Sequence, residues 1–338
     1  MQYRYIGRSG LRVSPVCLGT MTFGTQCDES EAFKIMDKAY DAGVNFFDTA
    51  ELYPVPPEAK LVGITEEMVG RWLQTKPRDS VILATKVAGA ASGWFVPPIR
   101  HGYTAIDRFH IERAVEGSLK RLGTDYIDLY QMHWPDTVVP IEESMRAFDA
   151  LVQSGKVRYL GTSNDTARGT MKSLMVSKYE KLARFESIQN NFSLLNRRDL
   201  TEIGHLCREE KVSLLPYSPL AGGVLSGKYN QRSDARGRFA DYVKSPNKRQ
   251  RLMAARFMND KTLASTQEYL RIAHEAGMDP VTMAIAWSKQ FDFVASTIIG
   301  ATSADQLDAT LAAMEVTLSA ELLQKLDEVH AKILYPMG

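Results

Sequence analysis

Asn45-Phe-Phe-Asp-Thr-Ala-Glu-Leu-Tyr53 is the stretch from which the fold of this chain is best predicted. Its apolar start indicates a buried strand, which would end at Asp48 and leave Tyr53 in the following loop. Two later apolar runs likewise end in a polar side chain, Lys86 and His133. In a barrel of parallel strands the carboxyl ends share one face, so we expect these four side chains to lie there together.

Strand-like runs alternate with amphipathic helical runs along nearly the whole chain. Strands are predicted over residues 16–20, 45–50, 81–87, 127–133, 157–163, 187–191, 212–218 and 294–300. Helices are predicted over residues 29–42, 64–75, 108–122, 141–155, 167–179, 199–210, 259–276 and 303–313, with an extra helical stretch at 280–290. Eight strand-then-helix units predict a parallel sheet with crossover helices, and this number favours a closed barrel over an open sheet. We therefore predict an α/β fold of the (β/α)8 TIM-barrel type.

Two short elements are predicted outside the eight units. Residues 2–13, around Gly7-Arg-Ser-Gly10, are expected to form a β-hairpin laid over one end of the body. Residues 319–331 are expected to form one more helix, with Ser319 as its N-cap and Glu321 in its first turn. No GxGxxG motif follows the first strand, which weakens a doubly wound dinucleotide-binding fold. The whole chain, residues 1–338, is interpreted as one domain.

Composition narrows the classes of partner. A formal net charge of +1 argues against a nucleic-acid or acidic-membrane surface and leaves a small molecule as the expected partner. Cys17, Cys27 and Cys207 show no CxxC or Cys/His spacing, so neither a disulfide framework nor a metal site is expected. The polar amino terminus lacks the apolar region of a signal peptide, which makes the cytoplasm the expected location. Whether the protein is a monomer or a homo-oligomer stays open.

Two long predicted loops follow strands on the carboxyl-end face, where long loops are more often functional than not. The first, residues 88–107, contains Trp94, Phe95 and Tyr103, which suit the wall of a pocket. The second, residues 219–258, contains many cations that suit anionic groups: Lys228, Arg232, Arg236, Arg238, Lys244, Lys248, Arg249 and Arg251.

The residue types at the strand ends suit proton transfer to a carbonyl oxygen. A phenol with a pKa of ~10 needs a neighbouring cation to stabilise its phenolate near neutral pH. Lys86 would do this for Tyr53, and Asp48 would keep the lysine charged and oriented. His133 could donate a hydrogen bond that orients the substrate. Taken singly, each residue has a structural alternative: a salt bridge for Asp48 and Lys86, core packing for His133 and a loop aromatic for Tyr53.

Six motifs, taken together and in this order, resemble those of the aldo-keto reductases. They are Thr20-Met-Thr-Phe-Gly24, Gly43 to Tyr53, Ala84-Thr-Lys86, Ser118 to His133, Gly161-Thr-Ser-Asn164 and Pro216-Tyr-Ser-Pro-Leu220. The resemblance covers nearly the whole chain. Leu225-Ser-Gly-Lys-Tyr229 and Ile299-Gly-Ala-Thr-Ser303 bring it closer to the bacterial and potassium-channel β-subunit branch of that family.

The resemblance implies an NADPH-dependent reductase with the catalytic tetrad Asp48, Tyr53, Lys86 and His133. The cofactor would bind extended, without a Rossmann domain. The matching carboxamide-binding residues are Ser163, Asn164 and Gln189, and the aromatic that stacks on the nicotinamide is Tyr217. The matching pyrophosphate loop contains Ser218, Pro219, Leu220, Gly222 and Lys228, and the adenosine segment runs from Gly300 through Thr302 to Gln306. The remaining residues that the resemblance assigns to cofactor binding are Thr20, Met21 and Asp48.

The adenosine segment departs from the family pattern. Classical members of that family have a lysine where Gly300 stands and an arginine where Gln306 stands. Each lost cation removes a charge-assisted contact to a 2′-phosphate, worth ~1.5–3 kcal/mol. NADP(H) is therefore the predicted cofactor with NAD(H) as the open alternative. Arg238 is the candidate for the missing cation, and a solvated surface charge is the alternative role for it.

We interpret the chain as a nicotinamide-dependent reductase of aldehydes, ketones or sugars. Met21, Tyr53, Trp94, Phe95 and Trp134 are the predicted substrate-pocket residues, with core packing as the alternative for Met21 and Trp134. Three other functions stay open: a dehydrogenase that oxidises a polyol or secondary alcohol, a redox-sensing protein that binds NADPH and turns over poorly, and a Schiff-base lyase using Lys86. The last is disfavoured because Asp48 should keep the amine protonated.

Overall fold

The computed structural model describes residues 2–90, 96–230 and 237–337. Eight parallel strands form one sheet. They are β3 (Val16–Gly19), β4 (Phe46–Asp48), β5 (Ile82–Val87), β6 (Ile127–Met132), β7 (Val157–Ser163), β8 (Phe185–Gln189), β9 (Ser213–Leu214) and β10 (Thr297–Ile299). From β3 to β9 each strand pairs with the next along the chain, and β10 pairs with β3.

The two ends of this sheet meet, so the sheet closes into a barrel. The Leu214 amide donates to the Phe293 carbonyl (2.8 Å), and the Ile298 amide donates to the Pro216 carbonyl (2.7 Å). These bonds join the β9 segment to the β10 segment. The predicted (β/α)8 barrel is therefore confirmed.

Helices follow the strands along the chain, and the last two of them come after the final strand β10. They are α1 (Glu29–Asp41), α2 (Ile64–Leu73), α3 (Arg108–Leu122), α4 (Ile141–Gln153), α5 (Ala167–Glu180), α6 (Glu202–Glu210), α7 (Arg238–Val243), α8 (Lys248–Phe257), α9 (Asp260–Glu275), α10 (Pro280–Lys289), α11 (Leu307–Ala312) and α12 (Ala320–Lys332). The Ser319 hydroxyl accepts the Leu322 amide at the start of α12. This cap confirms the predicted extra C-terminal helix. None of the helices in the described ranges is long and apolar enough to cross a membrane.

The amino-terminal hairpin closes one end of the barrel. Its strands are β1 (Arg4–Tyr5) and β2 (Arg12–Val13), paired antiparallel as predicted. Ile6, Leu11 and Val13 are buried in one cluster with the side chains of the barrel interior. The hairpin thus fills the end of the barrel opposite to the carboxyl ends of the strands.

The stretch 219–258 is not the long loop that the sequence predicted. It contains a 3-10 turn (Ala221–Ser226) and the helices α7 and α8. A few apolar residues are spaced among the many cations of this stretch. Those that are buried in the hydrophobic core are Phe239, Tyr242, Ala254 and Phe257. Asn247 caps α8 by accepting the Arg249 amide. Burial of these apolar residues and the cap at Asn247 therefore stabilise helices in a stretch whose polar composition predicted a loop.

Strand β8 begins two residues earlier than predicted. It contains Glu186, whose charge argues against a strand in the sequence. In the structure the Glu186 carboxylate accepts the amide of Arg8 from the hairpin (2.8 Å), so the charge has a partner within the fold.

Candidate active site at the carboxyl ends of the barrel strands

The alternation of strand side chains brings polar groups into one end of the barrel. Phe46, Ala84 and Leu129 belong to the interior cluster. Successive residues of a strand face opposite sides, so the residues two positions later also face inward. These are Asp48, Lys86 and Gln131, and all three are buried. These three polar side chains therefore form the layer of the barrel interior next to the carboxyl ends of the strands, directly above the apolar layer of Phe46, Ala84 and Leu129.

The Lys86 ammonium is fully coordinated inside the barrel. It donates to Asp48 Oδ1 (2.5 Å), to the Thr49 carbonyl (2.7 Å) and to the Tyr53 hydroxyl (3.5 Å). These contacts account for its three N–H donors. Burial alone would lower the pKa of Lys86, but Asp48 and Tyr53 together raise it above the usual value. The amine is therefore held protonated, as predicted.

The Asp48 carboxylate is held by two amides besides the lysine. Its Oδ2 accepts Gln131 Nε2 (3.0 Å) and Gln189 Nε2 (2.9 Å), and the same Gln189 nitrogen donates to Gln131 Oε1 (3.1 Å). Sequence reasoning missed Gln131. The available signal was its position on the same strand face as Ile127 and Leu129, where it is the one polar residue.

The Tyr53 phenol lies beside Lys86, and two opposing effects act on its pKa. Burial raises the pKa of Tyr53 above its usual value, and the Lys86 charge opposes this shift without cancelling it. The sequence predicted that Lys86 stabilises the phenolate, and the structure adds a desolvation effect that acts in the opposite direction. Desolvation is the larger effect because the hydroxyl lies inside the protein. At neutral pH this phenol is thus a neutral proton donor.

His133 follows β6 directly and faces Tyr53 edge-on, with ring centroids 5.8 Å apart. Its ring stacks on Trp134 at 3.8 Å. Burial lowers the pKa of His133 well below its usual value, and Lys86 lowers it further. The imidazole is therefore neutral at neutral pH. Its Nδ1 has no hydrogen-bond partner among the residues that the structure describes.

A second group of predicted residues forms a hydrogen-bonded rim next to this centre. Ser163 Oγ donates to the Gln189 carbonyl (2.8 Å), Asn164 Nδ2 donates to the His133 carbonyl (3.0 Å), and the Tyr217 hydroxyl donates to Asn164 Oδ1 (2.8 Å). The alternative role for Ser163 and Asn164 was the cap of the next helix. That cap is Thr166, which accepts the Gly169 amide.

Thr20 and Met21 brace the Asp48 side of the rim. The Thr20 hydroxyl donates to the Asp48 carbonyl (3.0 Å), and the Met21 carbonyl accepts the Val55 amide (3.0 Å) from the loop after Tyr53. Both residues therefore lie beside the catalytic candidates.

A glycine turn and two cations lie next to one another after β9. Ser218, Pro219 and Leu220 lead into the turn that contains Gly222 and Gly223, both at positive φ (65° and 92°). An added Cβ would stand 3.1 Å from Arg238 Nη2 at Gly222 and 3.0 Å from Lys228 Nζ at Gly223. Such a turn lets backbone amides and cations approach a phosphate closely.

The two cations of this turn have no acidic partner in the described ranges. Burial lowers the pKa of Arg238 and of Lys228, and the Arg238 charge lowers the pKa of Lys228 further. A pair of adjacent, partly desolvated cations is a site where an anion gains strong contacts.

The segment from Gly300 to Gln306 carries no cation. The Gln306 side chain is exposed and bonded within the segment, where its Oε1 accepts the Thr302 amide (3.0 Å). The Glu31 carboxylate of α1 accepts the Ala304 amide (2.8 Å). The segment from Gly300 to Gln306 thus lies next to an acidic side chain, whereas the glycine turn after β9 lies next to the cations Lys228 and Arg238.

The predicted substrate pocket is placed only in part. Trp94 and Phe95 lie outside the described residues. Tyr103 is 83% exposed and does not contribute to a buried wall. Tyr53, Met21 and Trp134 lie at the site. In residues 2–90, 96–230 and 237–337 no cluster of three or more His, Cys, Asp or Glu side chains could hold a metal ion.

Comparisons with known proteins agree on one family. The family model described as "Aldo/keto reductase family" matches residues 15–331. Protein tas of Escherichia coli is 37% identical over 99% of both chains. The uncharacterized oxidoreductase YrpG of Bacillus subtilis is 37% identical over 97% of this chain and 96% of its own. A probable voltage-gated potassium channel subunit beta of Oryza sativa is 34% identical over 97% and 96%.

Proposed function

The chain belongs to the aldo/keto reductase family, and from that premise we propose that it reduces aldehydes or ketones with Tyr53 as the proton donor. As a member of this family it is an NAD(P)H-dependent oxidoreductase that acts on small carbonyl compounds. The observation that carries the finer proposal is the contact of a neutral, half-buried phenol with the fully buried Lys86 ammonium (3.5 Å).

The protein residues would control where the proton goes. When bound at this site, a nicotinamide cofactor would provide the hydride for the carbonyl carbon. The carbonyl oxygen accepts the Tyr53 proton as its negative charge develops, and the resulting phenolate is stabilised by Lys86. Asp48 holds Lys86 in the charged form, and Gln131 and Gln189 hold Asp48. His133, being neutral, can donate a hydrogen bond that orients the carbonyl oxygen. Oxidation of an alcohol would use the same groups in reverse.

We assign the cofactor to the rim and to the glycine turn. Gln189 already donates from its Nε2 to protein groups, so its Oε1 is the atom available for the amino group of a carboxamide. Tyr217 would pack against the nicotinamide ring. Gly222 and Gly223 would admit the pyrophosphate, with Lys228 as its cation.

Arg238 is the cation that we assign to the 2′-phosphate of NADP(H). We expect Arg238→Gln to weaken NADPH binding by about 10- to 100-fold, since one charge-assisted hydrogen bond contributes ~1.5–3 kcal/mol. NADH binding should change by less than about threefold. Quenching of tryptophan fluorescence by each cofactor measures both dissociation constants.

Arg251→Gln is the matched control for that substitution. Arg251 lies on α8, where it is exposed and bonded to the Ser245 and Pro246 carbonyls. Its loss should leave both affinities unchanged. If Arg238→Gln weakens the binding of NADPH and of NADH equally, Arg238 instead contacts a part of the cofactor that both molecules contain, such as the pyrophosphate.

The first experiment titrates the purified protein with NADPH and NADH and then follows nicotinamide absorbance with a panel of aldehydes and ketones. Tight binding with turnover of several carbonyls is the expected result. Turnover of alcohols with the oxidised cofactor alone would favour the dehydrogenase alternative. Failure to bind either cofactor would overturn the proposal.

A second candidate function is a cofactor-binding sensor with little turnover. It is favoured by the similarity to the probable channel subunit. Full cofactor occupancy after purification, with negligible turnover over the whole panel, would support it. We further propose that residues 1–338 form one domain and that the protein acts in the cytoplasm.

A further inference from the structure

Glu51 is a buried carboxylate between two of the proposed catalytic residues in the chain. It lies three positions after Asp48 and two before Tyr53, and it is 2% exposed. Its Oε2 accepts the Ala88 amide (2.9 Å), and its own amide donates to the Lys86 carbonyl (3.2 Å). Glu51 therefore ties the loop that carries Tyr53 to the end of the strand that carries Lys86.

Arg100 completes this connection from the segment after β5. Its side chain is 9% exposed, and its two terminal nitrogens both donate to the Glu51 carboxylate. One of them also donates to the Ala88 carbonyl (3.0 Å). Glu51 and Arg100 thus hold both the amide and the carbonyl of Ala88. This clamp joins three pieces of chain: the Tyr53 loop, the end of β5 and the turn at Arg100.

The backbone at Arg100 is unfavourable on its own. Arg100 and His101 both have positive φ (48° and 56°), a region that residues other than glycine seldom adopt. Such a conformation persists where the surrounding contacts hold it, and it is found mainly at functional sites. The bidentate contact to Glu51, together with the bond to the Ala88 carbonyl, anchors the Arg100 side chain and so helps to hold this conformation.

A buried ion pair is rarely the most stable solution for packing alone. Desolvation of both charges offsets their attraction, and apolar residues of similar volume often stabilise a fold as well or better. The Glu51–Arg100 pair is therefore better explained by the geometry it specifies. The contact it governs is the one between Lys86 Nζ and Tyr53 Oη at 3.5 Å, which is at the outer limit for a hydrogen bond. A small shift of the Tyr53 loop would break that contact.

We propose that Glu51 and Arg100 are a positioning pair that holds the Tyr53 hydroxyl in contact with Lys86. The inference rests on the proposed role of Tyr53 as proton donor. Neither residue touches the substrate or the cofactor in this account. Both act through the loop after β4.

The test compares Glu51→Gln, Arg100→Met and Arg100→Lys with the full-length wild type. We expect Glu51→Gln and Arg100→Met to lower kcat by about 10²-fold, the size of effect that a displacement of about 1 Å can produce, with a smaller change in KM. Arg100→Lys should recover part of kcat because it keeps the cation. Hydrogen exchange should become faster in residues 96–107 and at the Ala88 amide in the two damaged variants.

The pH profile separates positioning from mere stability. Reduction needs the protonated phenol, so kcat falls as the pH rises through the pKa of Tyr53. The charged groups that face this hydroxyl are Lys86 and Asp48. The neighbouring His133 imidazole, Cys17 thiol and Tyr217 phenol are neutral at neutral pH, and burial raises the pKa of Tyr217 to about 12. Loss of the Lys86 contact would raise the pKa of Tyr53 further. The alkaline fall in kcat should therefore move to higher pH in Glu51→Gln and Arg100→Met.

Arg78→Met is the matched control at the other end of β5. The Asp128 carboxylate there accepts the Leu83 amide (3.0 Å) and Arg78 Nη2 (2.7 Å), which repeats the arrangement of Glu51 with Ala88 and Arg100. This variant should lose thermal stability while its kcat and pH profile stay unchanged.

Two outcomes would count against the pair. If Glu51→Gln and Arg100→Met lower the melting temperature but keep kcat and the alkaline limb of the wild type, the pair is structural only. Arg78→Met should leave hydrogen exchange at residues 96–107 unchanged. If Glu51→Gln and Arg100→Met also leave it unchanged, then Glu51 and Arg100 do not hold this segment in place. A wild-type rate in Tyr53→Phe would be a different failure, that of the proposed function.

Discussion

Tyr53→Phe should abolish carbonyl reduction, with kcat lower by about 10²–10⁴-fold, the usual contribution of a general acid. The substitution removes only the hydroxyl, which is the proposed proton source and the third partner of the Lys86 ammonium. The ring stays available to pack against His133. Steady-state rates with one aldehyde and one ketone, together with a fluorescence titration of NADPH, measure the effect.

Cofactor affinity should change by less than about threefold in this variant. Tyr130→Phe is the control because Tyr130 is a phenol buried outside the candidate site, in the core cluster between sheet and helices, and its hydroxyl has no partner among the described residues. That control should reduce carbonyls at the wild-type rate. Loss of cofactor binding in Tyr53→Phe would mean that Tyr53 has a structural role. A near-normal rate would remove Tyr53 from the mechanism.

Lys86→Met is the second substitution expected to have a large effect. We expect kcat to fall by at least about 10²-fold, because the cation that opposes the upward shift of the Tyr53 pKa disappears. The remaining activity should persist to higher pH than in the wild type, since a phenol with a higher pKa stays protonated longer. A pH profile of kcat from neutral to strongly alkaline solution measures both changes.

This variant also leaves Asp48 as a buried charge, which destabilises a fold by about 3–5 kcal/mol when its partner is removed. The double variant Asp48→Asn with Lys86→Met removes both charges and should regain most of the lost thermal stability. It should remain inactive. Recovery of activity with stability would show that Lys86 serves the fold and not the chemistry, and wild-type rates in Lys86→Met would end the relay proposal.

The sequence predicted the main architecture because burial is periodic along the strands. Asp48, Lys86 and His133 each end an apolar run, so the rule that strand carboxyl ends share a barrel face placed them together. The structure places these residues within one connected site. The sign of the Tyr53 shift could not be predicted, because the depth of burial that raises its pKa is a property of the folded loop.

Contacts between distant segments were beyond sequence reasoning. Gln131 lies inside a recognised strand, but its bond to Asp48 joins residues 83 positions apart. The contact of Glu51 with Arg100 depends on how the segment after β5 returns to the barrel. The helices α7 and α8 were missed for a different reason: their few buried residues are spaced among many cations.

Closure of the barrel by its first and last strands has a consequence for synthesis of the protein. The partners of β3 at residues 16–18 are residues 297–299, nearly the whole chain away. Until those residues have left the ribosome, β3 and β9 are open sheet edges of the kind that pair with other chains. Contacts between such distant segments also slow folding. The nascent chain can therefore close its barrel only after residues 297–299 have been synthesised, and until then its two open edges can pair with strands of other chains.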